Sequence, residues 1–285
     1  MPPAKHIVAL VAATLVGCGL TADFSGIQGG PGDAGILDAS LPPVDAAQVD
    51  AGSESLPDAP TDFDVRDEVA LGFCASLSPA PKLCSDFDEG AQIGVGWTLF
   101  DTSQGQSVSV DTTASVSPPG SFLSVINSNN GTPESARLAE SLPVLSNHVH
   151  ASFDLLFSGD GGPFEIFAVH ELTPDGNTYG LFYKLQGGQF LVYIVALLED
   201  GGLAQYVYPL GAPPSPPEWV TVDIQMDIAD SGDVVVTQNG TVVVNAIGIT
   251  TSTPNRSQLF VETGFYSPNS ADAQANFDNV VVDWP

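Results

Sequence analysis

From about residue 107 onward, apolar and polar residues alternate in short runs, and a period of two is the pattern of a β-strand with one buried face. In "EWVTVDIQMDI" (218–228), Val220, Val222, Ile224, Met226 and Ile228 fall on one side. Trp219, Thr221, Asp223, Gln225 and Asp227 fall on the other. Comparable runs are "SVSVD" (107–111), "SFLSVIN" (121–127), "VHASFDLLF" (149–157), "FEIFAVHEL" (164–172), "TYGLFYKL" (178–185) and "QFLVYIVALLE" (189–199). "DVVVTQ" (233–238), "TVVVNAI" (241–247), "QLFVETGFY" (258–266) and "FDNVVVDW" (277–284) complete the series. Tight hairpin turns need positive φ at both central residues, so Asn239-Gly240 between two valine-rich runs predicts a hairpin. "LQGGQF" and "EDGGLA" read the same way, and no amphipathic helix of useful length interrupts the pattern. The predicted class is all-β: a two-sheet antiparallel β-sandwich over residues 71–285.

Upstream the pattern is different. "MPPAKH" carries a Lys and a His, and an apolar run follows from Ile7 to Gly17. At about 1.5 Å per residue such a run falls well short of a bilayer core of about 30 Å, so it predicts a secretory signal rather than a span. The four residues Leu15, Val16, Gly17 and Cys18 resemble the lipobox of bacterial lipoproteins. That resemblance implies cleavage after Gly17, so that residues 1–17 are a signal peptide, and lipidation of the Cys18 thiol. It also implies anchoring to a membrane, the outer membrane or cell surface of a Gram-negative bacterium, because Gly19 is not the Asp that favours inner-membrane retention. Several acyl chains hold a protein stably where one does not.

Residues 18–70 follow a third regime. Asp-Ala recurs at 33, 38, 45, 50 and 58 among Gly, Pro and Ser, and 11 acidic side chains face one arginine, Arg66. With too little apolar surface to offset chain entropy, this segment is expected to be a disordered, self-repelling tether. The Asp spacing does not form the alternate-ligand loop that calcium needs. Across the whole chain 6 Lys and Arg stand against 34 Asp and Glu, a net charge of −28. Phosphate backbones bind through cations, so nucleic acid is not an expected partner.

The sandwich opens with "LCSDFDEG" and "GWTLF", passes through "YGLFYKL" and "EWVTVDIQM…VVVTQNGTVVV", and closes with "ANFDNVVVDW". This order resembles the concanavalin A-like lectin/glucanase superfamily, especially its laminin-G-like jelly rolls. The resemblance implies that the final strand pairs with the first, and that carbohydrate is a candidate ligand. Structural calcium is frequent in such sandwiches. Asp86, Asp88 and Asp278 would serve if the first and last strands bring them together, and ordinary turn chemistry is the rival reading. No other cofactor is implied.

Cys74 and Cys84, with nine residues between them, are the cysteines left once Cys18 is acylated, and in an exported chain they are expected to form a disulfide. Catalytic motifs are missing. The glucanases of the superfamily carry E-x-D-x-x-E or E-x-D-x-E on one strand, and here "EIFAVHE" has Phe167 where the central Asp belongs. Alternation puts Glu165 and Glu171 on one face, about 20 Å apart, too far for a glycosidase pair at about 5–9.5 Å. No G-x-S-x-G supports a serine hydrolase. His148 and His150 share a strand face, a spacing a metal could use if His170 lay on an adjacent strand, but a polar strand face accounts for them more simply.

The expected function is therefore a membrane-anchored lipoprotein displaying a non-catalytic sandwich that binds carbohydrate or another cell-surface partner. Tyr179, Tyr183, Tyr193 and Tyr206 are the candidate ligand contacts. The alternatives are a divergent hydrolase or lyase of the same superfamily, and a purely structural envelope protein.

Overall fold

A computed structural model of the chain describes residues 72–88, 93–103, 105–128, 133–268 and 272–285. The chain divides between residues 64 and 65, and every described residue lies in the second part. The signal segment, Cys18 and the tether of residues 18–70 lie outside the described residues.

Among the described residues, a single helical turn, α1 (Phe73–Ser76), is followed by fifteen strands. They are β1 (Leu83–Ser85), β2 (Leu99–Thr102), β3 (Ser107–Asp111), β4 (Ser121–Ile126), β5 (Glu134–Leu142), β6 (His148–Gly159), β7 (Phe164–Leu172) and β8 (Thr178–Gln186). β9 (Gln189–Leu197), β10 (Leu203–Gly211), β11 (Val220–Asp227), β12 (Gly232–Gln238), β13 (Thr241–Ile249), β14 (Gln258–Ser267) and β15 (Ala273–Asp283) follow. One sheet runs β13-β12-β11-β6-β15-β4-β3, with β1 also on β15; the other runs β10-β9-β8-β7-β14-β5-β2. Every pairing is antiparallel, so the chain is the two-sheet antiparallel sandwich that the alternation predicts.

The core lies where the period places it. Val220, Val222, Ile224, Met226 and Ile228 are all buried, while Thr221 and Gln225 of the same strand are exposed. Aromatic rings interlock across the two layers: Phe153 of β6 stacks on Phe167 of β7 with centroids 4.6 Å apart, and Phe157 meets Phe265 of β14 edge-on at 6.1 Å. Such pairs add about 0.5–1.5 kcal/mol each beyond area burial. Asn239 and Gly240 both have positive φ, 49° and 73°, and close the β12–β13 hairpin.

The last strand pairs with the first, Leu83 opposite Val282 and Cys84 opposite Val281. Cys74 and Cys84 are joined as a disulfide with Cα atoms 5.7 Å apart, which ties α1 to β1 at the sandwich edge. β2, β5 and β10 are not among the alternating runs quoted above. "ESARLAESL" of β5 is built from Ala, Leu, Glu, Arg and Ser, most of them good helix formers. It is a strand because β14 and β2 pair with it on either side.

Candidate functional site

A recess of about 600 Å³ opens on the outer face of the seven-stranded sheet. Its floor comes from β7 and β8, its walls from β5 and β14 on one side and β9 and β10 on the other. Two irregularities aim its side chains. β7 carries an extra residue against β8 between Glu165 and Phe167, and β14 one against β7 between Thr263 and Tyr266. Bulges of this kind re-aim side chains and recur beside functional sites. Here the first puts Ile166 and Phe167, consecutive residues, both into the core.

That bulge corrects the expectation for the two glutamates of "EIFAVHE". Six residues apart, Glu165 and Glu171 should share a face, but the extra residue reverses the alternation between them. Glu165 lines the recess with Ala168 and His170 on the outer side, whereas Glu171 is buried at the end of the sandwich beside Arg256.

The polar groups of the recess form two linked sets. In the first, Glu262 of β14 lies between Arg137 of β5, whose Nη1 is 2.5 Å from Oε2, and His170 of β7, whose Nε2 is 3.2 Å from Oε1. Arg137 Nε also meets Asp101 of β2 at 3.2 Å, and the guanidinium lies 5.2 Å from the centroid of the Tyr266 ring. Arg137 can lie flat here because its partner in register is Gly264 (φ +111°), where a Cβ would sit 2.4 Å from the Ala136 carbonyl oxygen. In the second set, Lys184 Nζ donates to Glu165 at 2.8 Å and sits 4.7 Å and 4.9 Å from the ring centroids of Phe182 and Tyr193. Burial acts to raise the pKa of Glu262, but His170 and Arg137 outweigh it, and the carboxyl is held below the usual glutamate range.

His170 is the unusual member. It is 8% exposed, stacked between Phe260 (5.5 Å) and Phe182 (6.3 Å). Neither ring nitrogen makes a hydrogen bond of acceptable geometry to a protein group among the described residues; the Glu262 approach is close but poorly directed. A buried polar group left unsatisfied costs about 1–3 kcal/mol, so such a group calls for an explanation. Its neighbour in register on β8 is Gly180 (φ +149°), where a Cβ would come 2.2 Å from the Val169 carbonyl oxygen.

Of the four candidate tyrosines, Tyr179 and Tyr193 line the recess. Tyr183 and Tyr206 do not. Tyr183 is wholly buried in the core, its hydroxyl bonded to Gln238 across the sandwich at 2.6 Å and its pKa pushed up by burial. Tyr206 packs against the same core from β10, because its strand alternates with Leu203, Gln205 and Val207 outward.

Asp86 and Asp88, considered for calcium with Asp278, both approach Gly72, but the three form no metal-holding group. Cys74 N–H donates to Asp86 at 2.9 Å and Gly120 N–H to Asp88 at 3.3 Å. Asp278 accepts from the N–H groups of Val116, Ser117 and Asn279 and from the Ser117 hydroxyl. Among the described residues no group of three or more His, Cys, Asp or Glu side chains is placed to hold a metal ion. His148 and His150 lie on the eight-stranded sheet and His170 on the other, so the three histidines do not meet. Arg137, Lys184, Glu262 and Tyr266 were not singled out from sequence, and His170 was considered only as a third metal ligand beside His148 and His150. The available signal was scarcity: Arg137 and Lys184 are two of only four Lys and Arg among the described residues, and both sit mid-strand.

The architecture is that of a jelly-roll β-sandwich. No protein-family model matches the chain, and no curated protein matches it in sequence. Among solved structures it resembles an endo-β-1,4-glucuronan lyase from the fungus Trichoderma reesei, with a TM-score of 0.61 and 13% identity over 71% of this chain and 95% of that one. It also resembles the cellulose-induced protein Cip1, with a TM-score of 0.52 and 15% identity over 70% and 96%. At these identities the likeness is one of fold.

Proposed function

We propose that the recess binds a polysaccharide chain bearing uronate carboxylates, and that the protein presents it from a lipid-anchored N-terminus at Cys18. The observation that carries the binding reading is the recess itself, in which half of the described Lys and Arg collect beside His170 and the rings of Tyr179, Phe182 and Tyr193. Lys184 and Arg137 keep N–H donors for a carboxylate beyond those taken by Glu165, Asp101 and Glu262. Phe182, Tyr179 and Tyr193 supply the apolar surface that a pyranose face needs. The fold shared with a glucuronan lyase supports this as analogy only. Binding without turnover is the first reading, because each cation of the recess already stands in an ion pair.

A second reading has one observation in its favour: Arg137 and His170 flank Glu262, and the Tyr266 ring lies against the Arg137 guanidinium. In a uronide, removal of the C5 proton and rupture of the C4–O4 bond leave a C4–C5 double bond, with the proton for the departing oxygen coming from an acid. A cation, an imidazole and a phenol are groups of the right kind. Calorimetry with oligoglucuronates and oligomannuronates tests the first reading, and no heat with any of them defeats it. Ultraviolet absorbance of the conjugated product tests the second: a steady rise with enzyme concentration makes the protein a lyase, and a flat trace leaves a binder. The anchor has its own test. Cys18→Ser should move the protein from the membrane fraction to the soluble exported one, and an unchanged distribution would remove the lipid from the account.

A further inference from the structure

The opposite sheet has a second recess. About 410 Å³ in volume, within the range of small-molecule sites, it is lined by His148, His150, Asp283, Trp284 and Pro285. His148 and His150 lie on one face of β6, and Asp283 of β15 is paired in register with His150. Both imidazoles are oriented from β11: His148 Nδ1 is 2.7 Å from Asp227 and His150 Nε2 is 2.6 Å from Asp223. A neutral imidazole that donates to a carboxylate through one nitrogen offers a lone pair at the other. His148 Nε2 and His150 Nδ1 are therefore the ring nitrogens left for a ligand, acceptors in the neutral rings and donors in the protonated ones. The indole of Trp284 packs partly against the core with Lys82 Nζ 5.6 Å from its ring centroid, and its Nε1–H has no protein acceptor among the described residues. Asp283 Oδ1 accepts the Trp284 backbone N–H at 3.0 Å.

The recess thus combines an aromatic surface, one indole donor and two imidazole nitrogens held in place, and three carboxylates stand around it: Asp223, Asp227 and Asp283. Vicinal hydroxyls, each both donor and acceptor, match that set, and an indole matches the C–H face of a sugar ring. The carboxylates repel a uronate. We propose that this recess is a second carbohydrate site, specific for a neutral hexopyranose, on the sheet opposite the acidic-glycan recess. A chain could then be held at one face while a different polymer is held at the other.

The test uses the full chain with neutral gluco-, galacto- and manno-oligosaccharides, read by tryptophan fluorescence and calorimetry. Saturable binding of at least one neutral probe is expected. It should weaken at least about tenfold in Trp284→Ala, the scale of losing one well-packed aromatic contact. His148→Gln/His150→Gln, on an exposed strand face, should weaken it too and guards against a Trp284 variant that folds poorly. Arg137→Met should leave it unchanged, which separates this site from the acidic-glycan recess whatever the fate of that reading. The proposal is overturned by no binding of any neutral probe, by binding that survives both sets of variants, or by binding that is lost in Arg137→Met alone.

Discussion

Two glutamates of this sandwich, one half-buried and one buried, are each paired with an arginine, yet their acidities move in opposite directions. Glu262, in the recess, is held below the ordinary glutamate value; Glu171, at the sandwich end, is pushed above it. For both, burial is the largest influence and acts upward. The difference lies in what opposes it. Glu262 has Arg137 and His170 on either side and a side chain 14% exposed, whereas Glu171 is 1% exposed and leans on Arg256, with help from Thr253. Arg256 also donates to the carbonyl oxygens of Val144 and Ser146, so the end pair fastens loops. An ion pair that borders a recess stays ionised and available; one closed inside the fold acts as a structural clamp.

The largest expected effect comes from breaking the clamp. Arg256→Ala strands a buried carboxylate and two carbonyl oxygens, and should cost about 3–5 kcal/mol of stability in urea denaturation. A loss under about 1 kcal/mol would mean that the pair matters no more than a surface bridge.

Arg137→Met should do the reverse, with little change in stability and a large change in ligand affinity. Losing one charge-assisted partner of a carboxylate corresponds to a fall in oligouronate affinity of about thirtyfold or more by calorimetry. Equal affinity in wild type and variant would put the ligand elsewhere.

The disulfide comes next. Serine at both Cys74 and Cys84 frees a loop whose closure contributes about 3 kcal/mol by the chain-entropy model. The cost should appear as faster amide exchange in β1 ahead of global unfolding, since the bridge ties only α1 to β1 at one edge. Unchanged exchange across residues 83–85 would argue that β15 alone holds that strand.

The smallest effect is in the pH dependence, and its sign separates the two glutamates. Glu262, lowered on folding, contributes stability that is present above its unfolded value near 4.5 and lost as pH falls through its folded value. Glu171, raised on folding, favours the fold below 4.5, and that contribution is lost as pH rises through its folded value. Glu262→Gln should therefore flatten the acid side of the stability profile, and Glu171→Gln the limb above it. Identical profile changes in the two variants would erase the distinction.

Much of this molecule is legible in the order of its residues. Alternation in "EWVTVDIQMDI" assigns each side chain to core or solvent because a strand has a period of two and one buried face. Asn239-Gly240 announces a hairpin because few residue pairs accept positive φ twice. Cys74 and Cys84 pair because their spacing lets a turn bring them together.

The recess was not legible, for three physical reasons. β5 carries Arg137 in a stretch whose intrinsic preference is helical, and only its neighbours in the sheet make it a strand. The bulges in β7 and β14 change parity partway along a strand, so a two-residue period counted through them assigns Glu165 and Glu171 to the same face when they lie on opposite ones. Finally, Tyr183 and Tyr206 are indistinguishable from Tyr179 and Tyr193 in composition; Tyr179 and Tyr183 even share β8 at the same parity, and only the first, near the strand end, lines the recess. Local sequence determines the strands and most of their faces. Register, bulges and the partner across each pair are set by packing between distant segments, and those are what bring Arg137, His170, Lys184, Glu262 and Tyr266 to one place.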